Sequence, residues 1–205
     1  MTTRAGVVVA GGRSRRFGGS EKALAEFDGD PLLRRTADRV SAVVDELVVN
    51  CRAGQVDPFR RALTDASYDP RFAVDAVPDR GPVAGMATGL RAADEPVAVV
   101  TACDMPTLDP AFLASLFADA RGATGAVPTF DGRRQPLAAV YRVEPTVEAC
   151  VAALDSEADA GFGGVLDRLD PVVVPEATVR ERTDGATFRN VNARSDLRTD
   201  EASLR

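Results

Sequence analysis

Histidine does not occur anywhere in the 205 residues of this chain, and neither does tryptophan. Without imidazole there is no Ser-His-Asp triad, no histidine general base and no histidine-ligated metal. Any chemistry must rest on carboxylates, Lys, Arg, backbone dipoles or a hard cation held through oxygen. Cysteine is scarce: the three residues Cys51, Cys103 and Cys150 lie far apart and form no CxxC pair. That excludes a zinc ribbon or a dithiol redox centre and marks them as small buried residues in a reducing compartment. No apolar run approaches the roughly 20 residues of a membrane span, and the N-terminus lacks the basic-then-apolar profile of a secretory signal. A cytoplasmic protein with no membrane partner is expected. A surplus of basic charge is missing as well. With a net charge of −6, the chain is a poor candidate for a nucleic-acid surface, although a local basic loop can still hold a small anion.

Lysine is nearly absent too. Of the 25 basic residues only Lys22 is lysine, so a single ammonium stands where arginine supplies all other positive side-chain charge. An ammonium is a point charge on a flexible stem, a different tool from the planar guanidinium fork.

What is present alternates. Gly6 to Ala10 (GVVVA) is β-branched and runs into Gly11-Gly12, as a buried strand entering a tight loop does. Apolar residues at helical spacing predict a helix over Pro31 to Val44, and Glu46 to Asn50 reads as a second strand, completing a βαβ unit. Further strands are predicted at Arg71 to Val77, Val97 to Ala102, Ala123 to Thr129, Pro136 to Arg142 and Val172 to Pro175. Helices are predicted at Val83 to Ala93, Pro110 to Ala120, Glu144 to Leu154 and Gly163 to Leu169, with a C-terminal helix from near Ser195. Asp131-Gly132 is a turn signal and Asp155 to Gly164 a candidate mobile loop. The fold class is therefore α/β, Rossmann-like, a mostly parallel twisted sheet with helices on both faces. With 45% apolar side chains there is material for one core, so residues 1–205 are expected to form a single domain.

Val7 to Lys22 (VVVAGGRSRRFGGSEK) carries the strongest chemical signal. A strand delivers the chain into a loop with Gly11, Gly12, Gly18 and Gly19, three arginines and Lys22. Glycines let backbone N–H groups converge on phosphate oxygens, and the cations neutralise the remaining charge. The spacing is neither a P-loop nor a GxGxxG turn, so neither of those mechanisms applies. Asp104 comes directly after an apolar strand, which puts its carboxylate at the carboxyl edge of the sheet, where magnesium on a phosphate needs an oxygen ligand; capping of the next helix is the competing role.

Ala10 to Lys22 resembles the signature of the molybdenum-cofactor guanylyltransferases and their MobA-like nucleotidyltransferase relatives, with Phe17 for the usual methionine and Glu21 for the usual aspartate. The resemblance continues in order through Gly81-Pro82-Val83-Ala84-Gly85, Cys103-Asp104-Met105-Pro106 and Asn190-Val191-Asn192. It implies a nucleotide-diphospho-sugar-transferase-like fold, a GTP partner, a molybdopterin-type acceptor and Mg2+ as cofactor. Proteins of molybdoenzyme assembly are further partners on the same ground.

By the same resemblance, nucleotide contacts fall on Val9, Ala10, Gly11, Gly12, Lys22, Asn50, Asp75 and Asp104. On chemical grounds catalysis is expected of Lys22, Arg16 and Asp104, metal binding of Asp104, and acceptor contacts of Asn190 and Asn192. Asp75 aligns only across a one-residue gap, which keeps Asp79 open as the alternative. An aspartate there could accept from guanine N1–H and N2–H or from a ribose hydroxyl, and the two asparagines could equally stabilise their own turn. The expected reaction is in-line transfer, an acceptor phosphate attacking the α-phosphorus of GTP with loss of pyrophosphate. Its nucleophile arrives ionised and needs no general base. CTP, another acceptor, or nucleotide binding without turnover remain the alternatives.

Overall fold

The computed structural model describes residues 3–14, 17, 21–156 and 161–197. In chain order its elements are β1 (Ala5–Val9), β2 (Glu26–Phe27), β3 (Asp30–Pro31), α1 (Leu32–Ser41), β4 (Glu46–Cys51), α2 (Val56–Ala62), β5 (Arg71–Val74), α3 (Pro82–Arg91), β6 (Val97–Ala102), α4 (Pro110–Asp119), β7 (Gly125–Phe130), β8 (Arg133–Arg134), β9 (Ala138–Arg142), α5 (Val143–Leu154), α6 (Phe162–Leu169), β10 (Val172–Val174) and α7 (Glu176–Arg182).

One eight-stranded sheet runs in the order β10-β7-β9-β6-β1-β4-β5, with β8 paired to β7, while β2 and β3 form a separate hairpin. The pairs β6–β1, β1–β4, β4–β5 and β10–β7 are parallel; β9 is antiparallel to both its neighbours, β6 and β7. Every central strand is covered on both faces, which is why β1 and β6 read as continuous apolar runs. Alternate residues go to opposite cores. Val8 and Val99 pack with Leu33, Ala37 and Val40 of α1 and Phe112, Leu113 and Leu116 of α4. Val7 and Val100 pack with Met86 and Leu90 of α3, Cys150 of α5 and Val165 of α6. The Rossmann-like, mostly parallel α/β architecture expected from the alternation is the one observed.

Two helical glycines set how closely α3 approaches the sheet. A Cβ at Gly85 would lie 2.5 Å from Asn50 Oδ1, and one at Gly89 would collide with Val7. Glycine costs about 1 kcal/mol in a helix interior relative to alanine, and here it allows α3 to rest directly on β1 and β4. Gly81, at φ +84°, caps the same helix, with Pro82 in its first turn.

Several boundaries depart from the sequence expectation for identifiable reasons. β5 ends at Val74, not Val77, because its partner β4 ends at Cys51, whose carbonyl takes the Asp75 N–H at 2.9 Å. β7 starts at Gly125 because Ala123 N–H turns back to Ala120 O through Gly122 at φ +78°. β9 starts at Ala138, whose N–H bonds Gln135 O instead of a strand partner. The segment expected to open a C-terminal helix at Ser195 is a 3-10 turn over Arg194–Leu197, and residues 198–205 lie outside the described residues. Of the expected mobile loop, residues 157–160 are also outside them, while Phe162 to Gly164 already belong to α6. Helices α2 and α7 had no apolar periodicity to announce them: each fully buries a single side chain, Phe59 and Val179 respectively. Among the described residues no helix is long and apolar enough to cross a membrane.

Candidate active site

β1 lies between β4 and β6, and the chain runs outward through β4 and β5 before crossing to β6 on the other side of β1. This is a topological switch point, and the crevice at the carboxyl ends of such strands is where α/β sheets bind ligands. A cleft of about 490 Å³ opens there, lined by the chain leaving β1 (Val9 to Ser14), Lys22, Asn50, Asp75, Gly81 and Gly85, Cys103-Asp104 and Asn192. Backbone bonds draw the rim together: Ala10 N–H donates to Asn50 O at 3.0 Å and Cys103 N–H to Val9 O at 3.1 Å.

At one end, Asn50 is fully buried at the end of β4. Its Nδ2 donates to Asp75 Oδ1 at 2.7 Å and to Ala73 O at 3.3 Å. Its Oδ1 has no partner and faces Gly85 and Gly11. A Cβ at Gly11 would come within 2.5 Å of Asp75 Oδ2, so only glycine lets the chain leaving β1 pass this carboxylate. Asp75 is thus held as an acceptor beside the backbone of Gly11. Asp79, the other aspartate weighed for this role, also borders the cleft but is bonded by Arg13, whose Nε donates to Asp79 Oδ1 at 2.5 Å.

At the other end, Lys22 and Asp104 form an ion pair, each side chain only 15% exposed. Lys22 Nζ also donates to Asn192 Oδ1 at 3.2 Å. Asp104 Oδ1 is buried without a partner. That orphaned carboxylate oxygen fits a hard cation. No cluster of three or more potential ligands exists among the described residues, so a magnesium ion here would take one protein carboxylate and complete its shell with phosphate oxygens and water, as Mg2+ commonly does.

The backbone of Asp104 is fixed from three sides. Thr36 Oγ1 donates to Cys103 O at 3.1 Å, Cys103 N–H bonds β1, and Val191 N–H donates to Asp104 O at 2.9 Å. The last bond straps the Asn190-Val191-Asn192 segment against the metal-binding candidate, with Val191 buried beside Phe17, Phe27 and Leu32.

Of the residues expected from the sequence, Val9, Ala10, Gly11, Gly12, Lys22, Asn50, Asp75, Asp104 and Asn192 all border one cleft. Asn190 does not: its Nδ2 donates to Phe188 O at 3.2 Å, so it stabilises its own turn. Arg16 lies outside the described residues, as do Arg15, Gly18 and Gly19. Thr36, Arg52 and Gln55, which brace the rim, were missed. Thr36 looks like an ordinary helix residue, and Arg52 and Gln55 sit in a segment without periodicity, so nothing local marked them. The cysteines are inert: burial pushes the Cys103 thiol far up, the neighbouring Asp104 adding to it, and burial then Asp75 raise Cys51 to about 11.

Residues 6–172 match the model of the MobA-like NTP transferase domain. The chain belongs to that family. A probable molybdenum cofactor guanylyltransferase of Natronomonas pharaonis is 46% identical over 96% of both chains, and one of Methanosarcina mazei is 33% identical over 95% of this chain and 88% of the relative. Among solved structures, molybdopterin-guanine dinucleotide biosynthesis protein A of Archaeoglobus fulgidus superposes with a TM-score of 0.75 at 26% identity over 95% of both chains. A 4-diphosphocytidyl-2C-methyl-D-erythritol synthase of Anaerococcus prevotii reaches 0.74 at 14% identity over 96% of this chain and 93% of that one, a likeness of fold.

Proposed function

We propose that this MobA-like nucleotidyltransferase transfers GMP from GTP to a molybdenum- or tungsten-pterin cofactor in the cytoplasm, releasing pyrophosphate and forming the guanine dinucleotide cofactor. The observation that carries the reading is one cleft with two chemically distinct ends: a fixed amide–carboxylate pair, Asn50 and Asp75, and an ammonium beside a half-satisfied carboxylate, Lys22 and Asp104. The first end suits a nucleoside rich in N–H and O–H donors. The second suits its phosphates. The names of the curated relatives supply the guanine and the pterin.

In this reading, Asp75 accepts from guanine or ribose and Asn50 keeps its carboxylate in place. Amides of the chain leaving β1 cradle the phosphates, and Lys22, with Arg16, offsets charge gained by the α-phosphate and leaving group. Asp104 Oδ1 would hold Mg2+, which would neutralise phosphate charge. Asn192, on the acceptor side of Lys22, offers the pterin an amide. The attacking acceptor phosphate is already ionised, so positioning and charge stabilisation suffice, in keeping with a chain that has no histidine.

Calorimetric titration with GTP, CTP and ATP, each with and without magnesium, tests the reading, followed by pyrophosphate release with the pterin acceptor. Magnesium-assisted binding of GTP over the other two, together with acceptor-dependent release, supports it. A preference for CTP would assign the chain to cytidylyl transfer instead. Tight GTP binding with no release in the presence of acceptor would make it a nucleotide-binding adaptor.

A further inference from the structure

An acid immediately before the active-site lysine, in a site that calls for a hard cation, invites assignment as a second metal ligand. The geometry of Glu21 points to a different role. We propose that Glu21, Arg52 and Gln55 form a clamp that sets the position of Lys22, which makes Arg52 and Gln55 positioning residues of the transfer reaction. The proposal rests on the guanylyltransferase reading above and adds residues outside the substrate cleft to it.

Both oxygens of the Glu21 carboxylate are engaged. Arg52 Nη2 donates to Oε1 at 2.5 Å and Gln55 Nε2 to Oε2 at 2.7 Å. The same two donors reach the other end of the phosphate loop, Arg52 Nη2 to Gly12 O and Gln55 Nε2 to Ala10 O, each at 3.4 Å. The loop therefore leaves β1 and arrives at Lys22 against one pair of side chains just beyond β4. Gln55 is itself immobilised: it is 3% exposed, and its Oε1 accepts the Arg52 N–H at 2.8 Å. A second stitch, Lys22 N–H to Ser14 Oγ at 2.9 Å, closes the loop on itself. From this anchored backbone N–H the lysine side chain extends to Asp104 and Asn192.

Arg52 and Glu21 are 25% and 33% exposed, and ion pairs in that setting contribute little to stability. The arrangement should therefore matter more to geometry than to folding. Misplacing a catalytic group by about 1 Å can cost on the order of a hundredfold in rate. The clamp makes no bond to Asn50 or Asp75, so its loss should appear mainly in kcat, with KM for GTP rising only as far as the phosphate end contributes to binding.

The experiment compares Arg52→Ala, Glu21→Gln, the double variant and Arg52→Lys with the unaltered protein. It measures kcat, KM for GTP, the magnesium concentration for half-maximal rate, and the affinity for inorganic pyrophosphate by calorimetry. Glu21→Gln keeps the shape but turns an amide N–H toward a donor, Gln55 Nε2 or Arg52. The expected result is a kcat about tenfold or more lower in each single variant, with KM for GTP raised by no more than the fall in pyrophosphate affinity. The double variant should be no worse than the poorer single one, because the residues act as a unit. Arg52→Lys should recover part of the rate, and magnesium dependence should not change. Pyrophosphate affinity, which reports the phosphate end alone, should fall about fivefold. If the unaltered protein binds nucleotide without transfer, the functional reading fails while the pyrophosphate titration still judges the clamp. Should Arg52→Ala not fold, Glu21→Gln and Arg52→Lys carry the comparison. Normal kinetics and normal pyrophosphate affinity in these variants would overturn the proposal. So would a raised magnesium requirement confined to Glu21→Gln, which is the signature of a metal ligand.

Discussion

The two ends of the cleft are built on opposite principles. Asn50 sits at 0% exposure on a central strand, bonded to Ala73 O and Asp75 and crowded by Gly11 and Gly85 so closely that neither glycine could carry a methyl group. This end is a template whose geometry is set before any ligand arrives, with only Asn50 Oδ1 left without a partner. Lys22 opens a 3-10 turn beyond β1 and Asp104 lies in the turn beyond β6, both partly exposed and paired with each other. They are opposite charges that both have a better use once a triphosphate and its cation are present. In the proposed reading, selectivity is thus placed where packing makes the backbone rigid, and charge chemistry where partners can be exchanged. Arg13 and Asp79 repeat the second pattern at the cleft mouth.

Lys22→Ala should have the largest effect at the charged end. Loss of the ammonium should lower kcat by about a hundredfold to a thousandfold, the range for removing one pre-placed charge-stabilising donor. GTP should still bind through the nucleoside end, and circular dichroism should show an unchanged fold. A near-normal rate would remove Lys22 from the mechanism. Asp104→Asn sharpens the same point by separating two effects of one residue. Turnover should fall comparably, since the ligand oxygen for the cation is weakened. Yet GTP binding measured without magnesium should become tighter, by about fivefold, because the neutral amide releases Lys22 and no longer repels phosphate; about 1 kcal/mol of Coulomb energy suffices. Equal or weaker metal-free affinity in that variant would show that the ion pair does not compete with nucleotide.

Asp75→Asn addresses the other end. Asp75 Oδ1 is the acceptor for Asn50 Nδ2, and a hydrogen bond to a charged group is worth about 1.5–3 kcal/mol. GTP affinity should drop roughly tenfold to a hundredfold, discrimination against ATP should shrink, and kcat at saturating GTP should change by less than about threefold. The same loss of affinity in Asp79→Asn, with Asp75→Asn silent, would move the nucleoside contact to Asp79.

The same contrast decides how legible each end was in the sequence. Strands buried on both faces leave unbroken apolar runs, so Val97–Ala102 could be bounded to the residue. Glycine-rich turns and a lone lysine stand out by composition, the strand before Asp104 marks it at the sheet edge, and the family resemblance points to Asn50 and to Asp75 with Asp79 as its alternative. What braces them did not stand out. Arg52 and Gln55 act through side-chain bonds to Glu21, and Thr36 through a bond to Cys103 O in the turn after β6. Such long-range polar contacts have no period and no composition. The Asp28-Gly29 hairpin was missed although its residues are typical of a two-residue turn, because the flanking strands β2 and β3 are only two residues each and show no alternation to read. Asn190 and Asn192 look alike in sequence. One faces its own turn and the other faces Lys22, and only the path of the strap at Val191 separates them.

The smallest effect expected tests whether the nucleoside end is as rigid as its packing implies. Gly85→Ala would place a Cβ 2.5 Å from Asn50 Oδ1 and 3.0 Å from Val9 Cγ1. Alanine gains about 1 kcal/mol over glycine in a helix interior, while overpacking a buried contact costs about 1–3 kcal/mol. Because Asn50 is held through Nδ2 by two partners and cannot step aside, the steric term should win and the thermal midpoint should fall. Gly54→Ala, where a Cβ meets nothing within 4 Å, is the control and should leave the midpoint unchanged. If Gly85→Ala also loses GTP affinity while keeping pyrophosphate affinity, α3 sets the nucleoside end without reaching the phosphate end. If it melts like the control, Asn50 has more freedom than its burial suggests, and the template must be assigned to Asp75 and the Gly11 backbone alone.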